Sequence, residues 1–254
     1  RRNSVLRGFL AELKKARRRR ELLLIAGTAL VILAWVAYSL RGMGVQDRAQ
    51  GFSGLFYVMP TVNTIVLSVV TAVLASRIWD VENRGNTCKL LFTLQSRASL
   101  YGGKILLGAA ELLLLCVLEL AGIFALSGWL QFTQPLDIGR LAWLFACTFV
   151  VSMALFFLSL CISMAFAAQA ATLAVGLGGA LVGLFSAFFP PPLGYLTPWG
   201  YYIALSAMGY TWDEATRVTT YLPQPLPAGL LCVVAALAAA LCTLGGLLIK
   251  NREV

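Results

Sequence analysis

No histidine occurs anywhere in the chain. The commonest general base and the commonest metal ligand are therefore missing, and much hydrolytic and metal chemistry goes with them. Cysteine occurs six times but never as a CxxC pair. Cys116, Cys147, Cys161, Cys232 and Cys242 lie in apolar runs, where cysteine behaves as a small hydrophobe, and Cys88 lies in a polar loop. Neither a disulfide framework nor a metal site is expected. Charge is scarce: Asp, Glu, Lys and Arg are 12% of 254 residues, against about 25% in soluble domains. With 59% hydrophobic residues, a soluble globule of this length has too little interior to hide its apolar surface. Catalytic signatures are absent as well. There is no HExxH and no GxSxG with a histidine partner. Tyr101-Gly102-Gly103-Lys104 superficially suggests a phosphate loop, but the earlier glycine is missing and Ile105 stands where Ser or Thr is needed.

What the chain does have is six apolar runs, each near the ~20 residues that cross a bilayer. They cover roughly 21–40, 54–78, 105–130, 141–166, 173–189 and 228–249. The expected fold is an all-α polytopic membrane protein, a single transmembrane domain over 1–254. The first run is a full-length span after an arginine cluster and is expected to be retained rather than cleaved. Before it, residues 1–20 place Val5, Leu6, Phe9, Leu10 and Leu13 on one helical stripe with Arg and Lys around the rest. This is the pattern of an interfacial amphipathic entry helix, apolar face among the lipid headgroups.

Net charge is +9, yet the basic residues do not line a face as a nucleic-acid surface would. Nine of the 20 lie in residues 1–20 and five in 77–104. With six spans both termini share one side, and that side collects 16 of the 20 Lys and Arg. The positive-inside rule puts it in the cytoplasm. No nucleic-acid partner is expected.

Two carboxylates fall inside the third span, Glu111 and Glu119. Eight residues separate them by ~12 Å along a helix and about 80° around it. Glu119 should lie near mid-membrane, where an ionised carboxylate must be protonated, paired or facing water. It belongs either to a translocation path or subunit interface, or to a hydrogen bond inside the bundle. No basic residue lies deep in another span to pair with it. Small residues thread the late spans, with Gly176, Gly179 and Gly183 in the fifth, a pattern that serves packing within the chain or between chains. Residues 190–227 form a long loop rich in proline and aromatics. One or two short helices are expected there in the outer interface or dipping into the membrane, with Pro198, Trp199 and Tyr201 as an outer gate or an aromatic anchor.

The segment 77–104, RIWDVENRGNTCKLLFTLQSRASLYGGK, is the longest polar stretch assigned to the cytoplasm between two spans. Glu82, Gly85, Asn86-Thr87, Leu90-Leu91, Arg97, Leu100-Tyr101 and Lys104 resemble the first cytoplasmic loop of ABC-2-type permeases. That pattern runs acid, Gly-Thr or similar, a Leu pair, Pro-x-[Ser/Lys]-Arg, then Lys opening the third span, and the proline is absent here. The basic entry helix, the six spans and the long loop before the last span extend the resemblance over the whole chain. The short length, the Leu-Tyr-x-x-Lys ending and Pro198-Trp199 followed by tyrosines resemble most the lantibiotic-immunity and bacitracin-resistance branch.

The resemblance implies the transmembrane half of an ATP-driven exporter of type V architecture, not itself an enzyme, with no cofactor of its own. ATP and Mg would be held by two partner ATPase subunits. A second permease, identical or a sister, would complete the assembly, with membrane lipid around it and an amphipathic peptide or drug as substrate. The entry helix and residues 80–97 would dock the ATPases. Asp80, Glu82, Arg84, Gly85, Lys89, Leu90, Leu91 and Arg97 would form the coupling surface, the charged groups giving charge-assisted contacts and the leucines an apolar anchor. A proton-coupled carrier using Glu119 and a membrane scaffold or sensor without transport are the alternatives.

Overall fold

The computed structural model describes residues 2–18, 20–42, 48–84, 96–166, 169–190, 195–214 and 218–251; in 2–7, 18, 81–84 and 218 it describes the backbone alone. The helices are α1 (Arg2–Arg18), α2 (Glu21–Leu40), α3 (Gly51–Arg84), α4 (Arg97–Trp129), α5 (Ile138–Ala165), α6 (Gln169–Phe185), α7 (Tyr201–Ala204) and α8 (Ala228–Lys250). Helices α2, α3, α4, α5, α6 and α8 are long and apolar enough to cross a membrane. The chain is an all-α polytopic membrane protein in its spanning part, as expected.

Helix α3 runs 34 residues and α4 runs 33, about 50 Å each, well beyond the ~30 Å hydrocarbon core. The expected spans, 54–78 and 105–130, left out the end of α3 and the start of α4. Ser96 sets the start of α4 by accepting the Ser99 amide at 3.2 Å, and Asp137 starts α5 by accepting the Arg140 amide at 3.1 Å; both are ordinary N-caps. Pro60 inside α3 lacks the N–H that would bond the carbonyl four residues earlier. Hydroxyls within the spans bond back to their own helix, Thr28 to Leu24 O at 2.8 Å and Thr64 to Pro60 O at 2.9 Å, which satisfies them where no water is available.

Helices α3 and α5 form the centre: 61% of their spanning windows is buried, against 28% for α2 and 22% for α8. Helix α6 packs on α3, α8 on α5, α2 between α3 and α4, and α1 along α4. The outer faces of α2 (Leu22, Leu23, Leu30, Val31) and α8 (Val233, Leu244, Leu247) are exposed and apolar, as faces toward lipid or a second subunit must be.

Chain contacts give each level of the bundle. Helices α2 and α4 run in parallel, Glu21 and Leu22 lining one cavity with Ala110, Glu111 and Leu114, and Leu33 packed on Gly122. Helix α2 is 20 residues long, about one bilayer core, so its start marks the membrane boundary at the level of Glu111. Residues 97–110 of α4 and the end of α3 therefore project beyond that boundary as an antiparallel pair, at the end of the bundle that holds α1 and the end of α8.

The opposite end departs from expectation. The 190–227 loop has its short helices, a 3-10 turn (Pro198–Gly200) running into α7, but it also has a β-hairpin. Strands β1 (Met208–Asp213) and β2 (Val218–Pro223) pair antiparallel with Tyr210 opposite Tyr221. Tyr57 of α3 packs with its ring tilted against both tyrosines, at centroid distances of 5.0 and 5.8 Å, and Gln50 accepts the Tyr221 amide at 3.0 Å. Runs rich in Thr, Tyr, Trp and Val suit a pleated surface, and that signal was readable in GYTW and VTTY.

Candidate functional site: a braced lever and a buried polar node

Helix α1 meets α4 through a narrow seam. Among the described side chains of α1, Gly8, Glu12 and Ala16, four residues apart in turn, are the buried positions, while Leu10 and Leu13 stay exposed. Leu10 and Leu13 of the apolar stripe thus face away from the seam, while Phe9 packs against the core. A Cβ on Gly103 would stand 3.0 Å from the Gly8 carbonyl carbon, so glycine at that crossing lets the two backbones approach. Glu12 then reaches Lys104, which is 0% exposed. The Lys104 ammonium donates to Ile78 O at 2.6 Å, lies 3.9 Å from the Glu12 carboxylate and 5.7 Å from the Trp79 ring centroid. Glu12 also takes Lys15 at 2.7 Å. One buried cation thereby ties α1, the end of α3 and the start of α4 together through a carbonyl, a carboxylate and an aromatic face. This ion pair was invisible while α1 was read as lying on lipid alone.

A second brace joins α4 to α8. Arg97 Nη1 donates to the Lys250 carbonyl, and the Tyr101 hydroxyl donates to Cys242 O at 2.7 Å, against Gly245. Of the residues assigned to docking, Asp80 is half-buried on the last turns of α3 and Arg97 is half-buried at the α8 terminus. Glu82 and Arg84 continue the α3 backbone, with side chains outside the described residues. Gly85, Lys89, Leu90 and Leu91 lie outside the described residues altogether.

The buried polar node sits eight residues deeper than Glu111. Asn63 of α3 donates to Glu119 Oε2 at 3.2 Å. Asn63 Oδ1, Glu119 Oε1 and Ser68 Oγ are buried without a hydrogen-bond partner among the described residues. Unmade bonds at such depth cost about 1–3 kcal/mol each. Glu111 does not join this node; it lies at the membrane boundary with Glu21.

The outer loop reaches down to the node. Trp199 fills the groove of the α6 glycines: a Cβ on Gly179 would fall 2.1 Å from its Cε2, and one on Gly183 2.8 Å from its carbonyl carbon. Gly176 packs the same helix on Ala72 of α3. The small-residue stripe is therefore consumed inside the chain. Tyr201 donates to Tyr195 O at 2.8 Å, Trp143 donates to Leu205 O at 2.9 Å, and Tyr202 bonds Ser152 at 2.8 Å. Ser152 is fourteen residues into α5, about 21 Å from its start, so α7 is a plug set within the bundle. Asn63, Ser152 and Tyr202 escaped the sequence reading; an Asn inside an apolar run was the one available signal.

Six spanning helices, an overhanging helix pair and an entry helix clamped to it define a polytopic membrane protein built to carry a loop on one side. The model of the ABC-2 family of transporter proteins matches residues 9–187, and the chain belongs to that family. It is thus a membrane transport permease, the transmembrane component of an ABC transporter and not its ATPase. No curated protein matches the chain.

Proposed function

We propose that this permease is the membrane half of an ATP-driven exporter that moves an amphipathic peptide or antibiotic, of the lantibiotic type, out of the membrane. Two ATPase subunits holding ATP and Mg dock on residues 80–97 and the entry helix, and a second permease, identical or a sister, completes the pore. Both termini face the cytoplasm of a bacterial cell. The observation that supports this reading best is the overhang of α3 and α4 with its two braces. A loop that receives work needs stiff arms, and Lys104 and Arg97 couple these arms to α1 and α8. Closure of the ATPases would push the loop, and α3 and α4 would carry the push to the node and the plug. Pro198, Trp199 and Tyr201 belong to the outer gate in this reading.

The test is co-purification with a soluble ATPase whose hydrolysis depends on this chain. Leu91→Asp with Lys89→Glu should abolish assembly and the dependent ATPase activity while the permease alone keeps its melting temperature. Intact assembly in that variant would remove the loop from the docking surface. A proton-coupled carrier is the second reading, favoured by the unfilled bonding capacity at Asn63 and Glu119. Vesicle transport driven by a proton gradient without ATP, and lost in Glu119→Gln, would establish it in place of the first.

A further inference from the structure

Between α1, the start of α2 and α4 lies a cavity of about 410 Å3, within the range of small-molecule sites. Its wall is mostly apolar, and Leu13, Leu22 and Leu114 in it are exposed although no apolar group of the chain covers them from the cavity side. Lys14 and Arg17, three residues apart and so on one side of α1, stand in the same lining. Both are exposed, and neither has a hydrogen-bond or ion-pair partner among the described residues. The acids Glu21 and Glu111 also belong to the lining, but their carboxylate oxygens are buried and both residues are engaged within the chain. The charge open to the cavity is therefore positive. The cavity stands where α2 begins, at the boundary between hydrocarbon and headgroups.

We propose that this cavity binds an anionic phospholipid, one with a phosphate and no cation in its headgroup, from the leaflet on the α1 side. The match is one of charge and depth together. The exposed leucines of α1, α2 and α4 lie at one level, and an acyl chain covers them where water would not. The headgroup then stands beside Lys14 and Arg17. A guanidinium takes two phosphate oxygens in its fork, and an ammonium donates to a third. A zwitterionic headgroup would bring its own cation against two bases that lack a counter-charge. A free phosphate would leave the leucines uncovered. Bound there, the lipid bridges α1 to α2 and α4 beside the Lys104 brace and helps seat the entry helix. The site does this whatever cargo the transporter moves.

Native mass spectrometry of the full-length chain, released from micelles carrying equal dioleoyl phosphatidylglycerol and phosphatidylcholine, tests this. The glycerol lipid should be retained about tenfold over the choline lipid. Lys14→Gln with Arg17→Gln should erase that preference. Arg20→Gln, which removes a base of the same stretch outside the cavity lining, should leave it intact. Ala110→Trp, at an exposed position of the wall, fills the cavity without touching a charge and should lower retention of the glycerol lipid. Excess glycerol 3-phosphate should not displace it. Equal retention of the two lipids, or selectivity unchanged in the double Gln variant, would overturn the proposal. A loss in Arg20→Gln equal to that in Arg17→Gln would assign the preference to a diffuse basic patch, and displacement by glycerol 3-phosphate would assign it to a soluble phosphate; either overturns the lipid site. Lys14 and Arg17 are exposed, so their double variant should keep the wild-type melting temperature, and its selectivity decides the matter even where Ala110→Trp does not fold.

Discussion

Lys104 is a cation with no surface, and its stability is entirely a matter of what surrounds it. Burying an ammonium costs several kcal/mol, which only close partners offset. Here the Ile78 carbonyl accepts from the ammonium at 2.6 Å, and the Glu12 carboxylate, which is shared with Lys15, stands 3.9 Å away. Lys104→Met keeps the unbranched side chain, one atom shorter, and removes the charge, leaving Glu12 buried beside Lys15. The expected loss is about 3–5 kcal/mol, read as a lowered melting temperature in detergent. Adding Glu12→Gln should restore most of it, because the orphaned charge goes with the substitution. A single Lys104→Met variant that melts with the wild type would show the brace to be ornamental. The residue was legible as the lysine opening a span, and its pairing was not. The pair joins positions 92 residues apart, and it needs α1 seated on α4 through Gly8 and Gly103, a crossing that no local pattern announces.

At the scale of elements, periodicity and length found every spanning helix, because a bilayer demands runs of fixed length and those runs dominate the composition. What the runs do not show is where a helix continues after the membrane ends. Residues 79–84 of α3 and 97–104 of α4 continue as helix but were read as loop, because they no longer fit the apolar template, whereas 105–110 were counted in the span. The hairpin was missed for another reason: its short strands stand beside three prolines and read as an aromatic interface segment. The α6 glycines were legible as a packing stripe but not as to their occupant, which is Trp199 from the same chain. Gly183→Val tests that assignment. The added side chain meets the Trp199 backbone, and overpacking of this kind costs about 1–3 kcal/mol. The melting temperature should fall, and the intrinsic tryptophan emission should shift to the red as Trp199 leaves its groove, with self-association unchanged. Loss of dimer with unaltered emission would instead return the stripe to an interface between chains.

For the whole molecule, the decisive property is direction: which end of the bundle meets the cytoplasm. The end with α1, the overhanging arms and the α8 terminus collects most of the basic residues, and the end with the β-hairpin has few. Charge bias of that size sets orientation because positively charged loops resist translocation. The arms also need it so, since ATP-binding subunits are reached only from the side that holds ATP. Two exposed positions report the answer, Glu214 after β1 and Asn251 after α8. In a background with all six cysteines replaced, Glu214→Cys should react with a membrane-impermeant maleimide on intact cells. Asn251→Cys should react only once the cells are opened. Fluorescence of the labelled band, with and without permeabilisation, separates the two cases. Reaction of Asn251→Cys from outside, with Glu214→Cys protected, would invert the molecule. The arms would then point away from nucleotide, and the coupled-exporter mechanism would fail even though every helix stayed where it is.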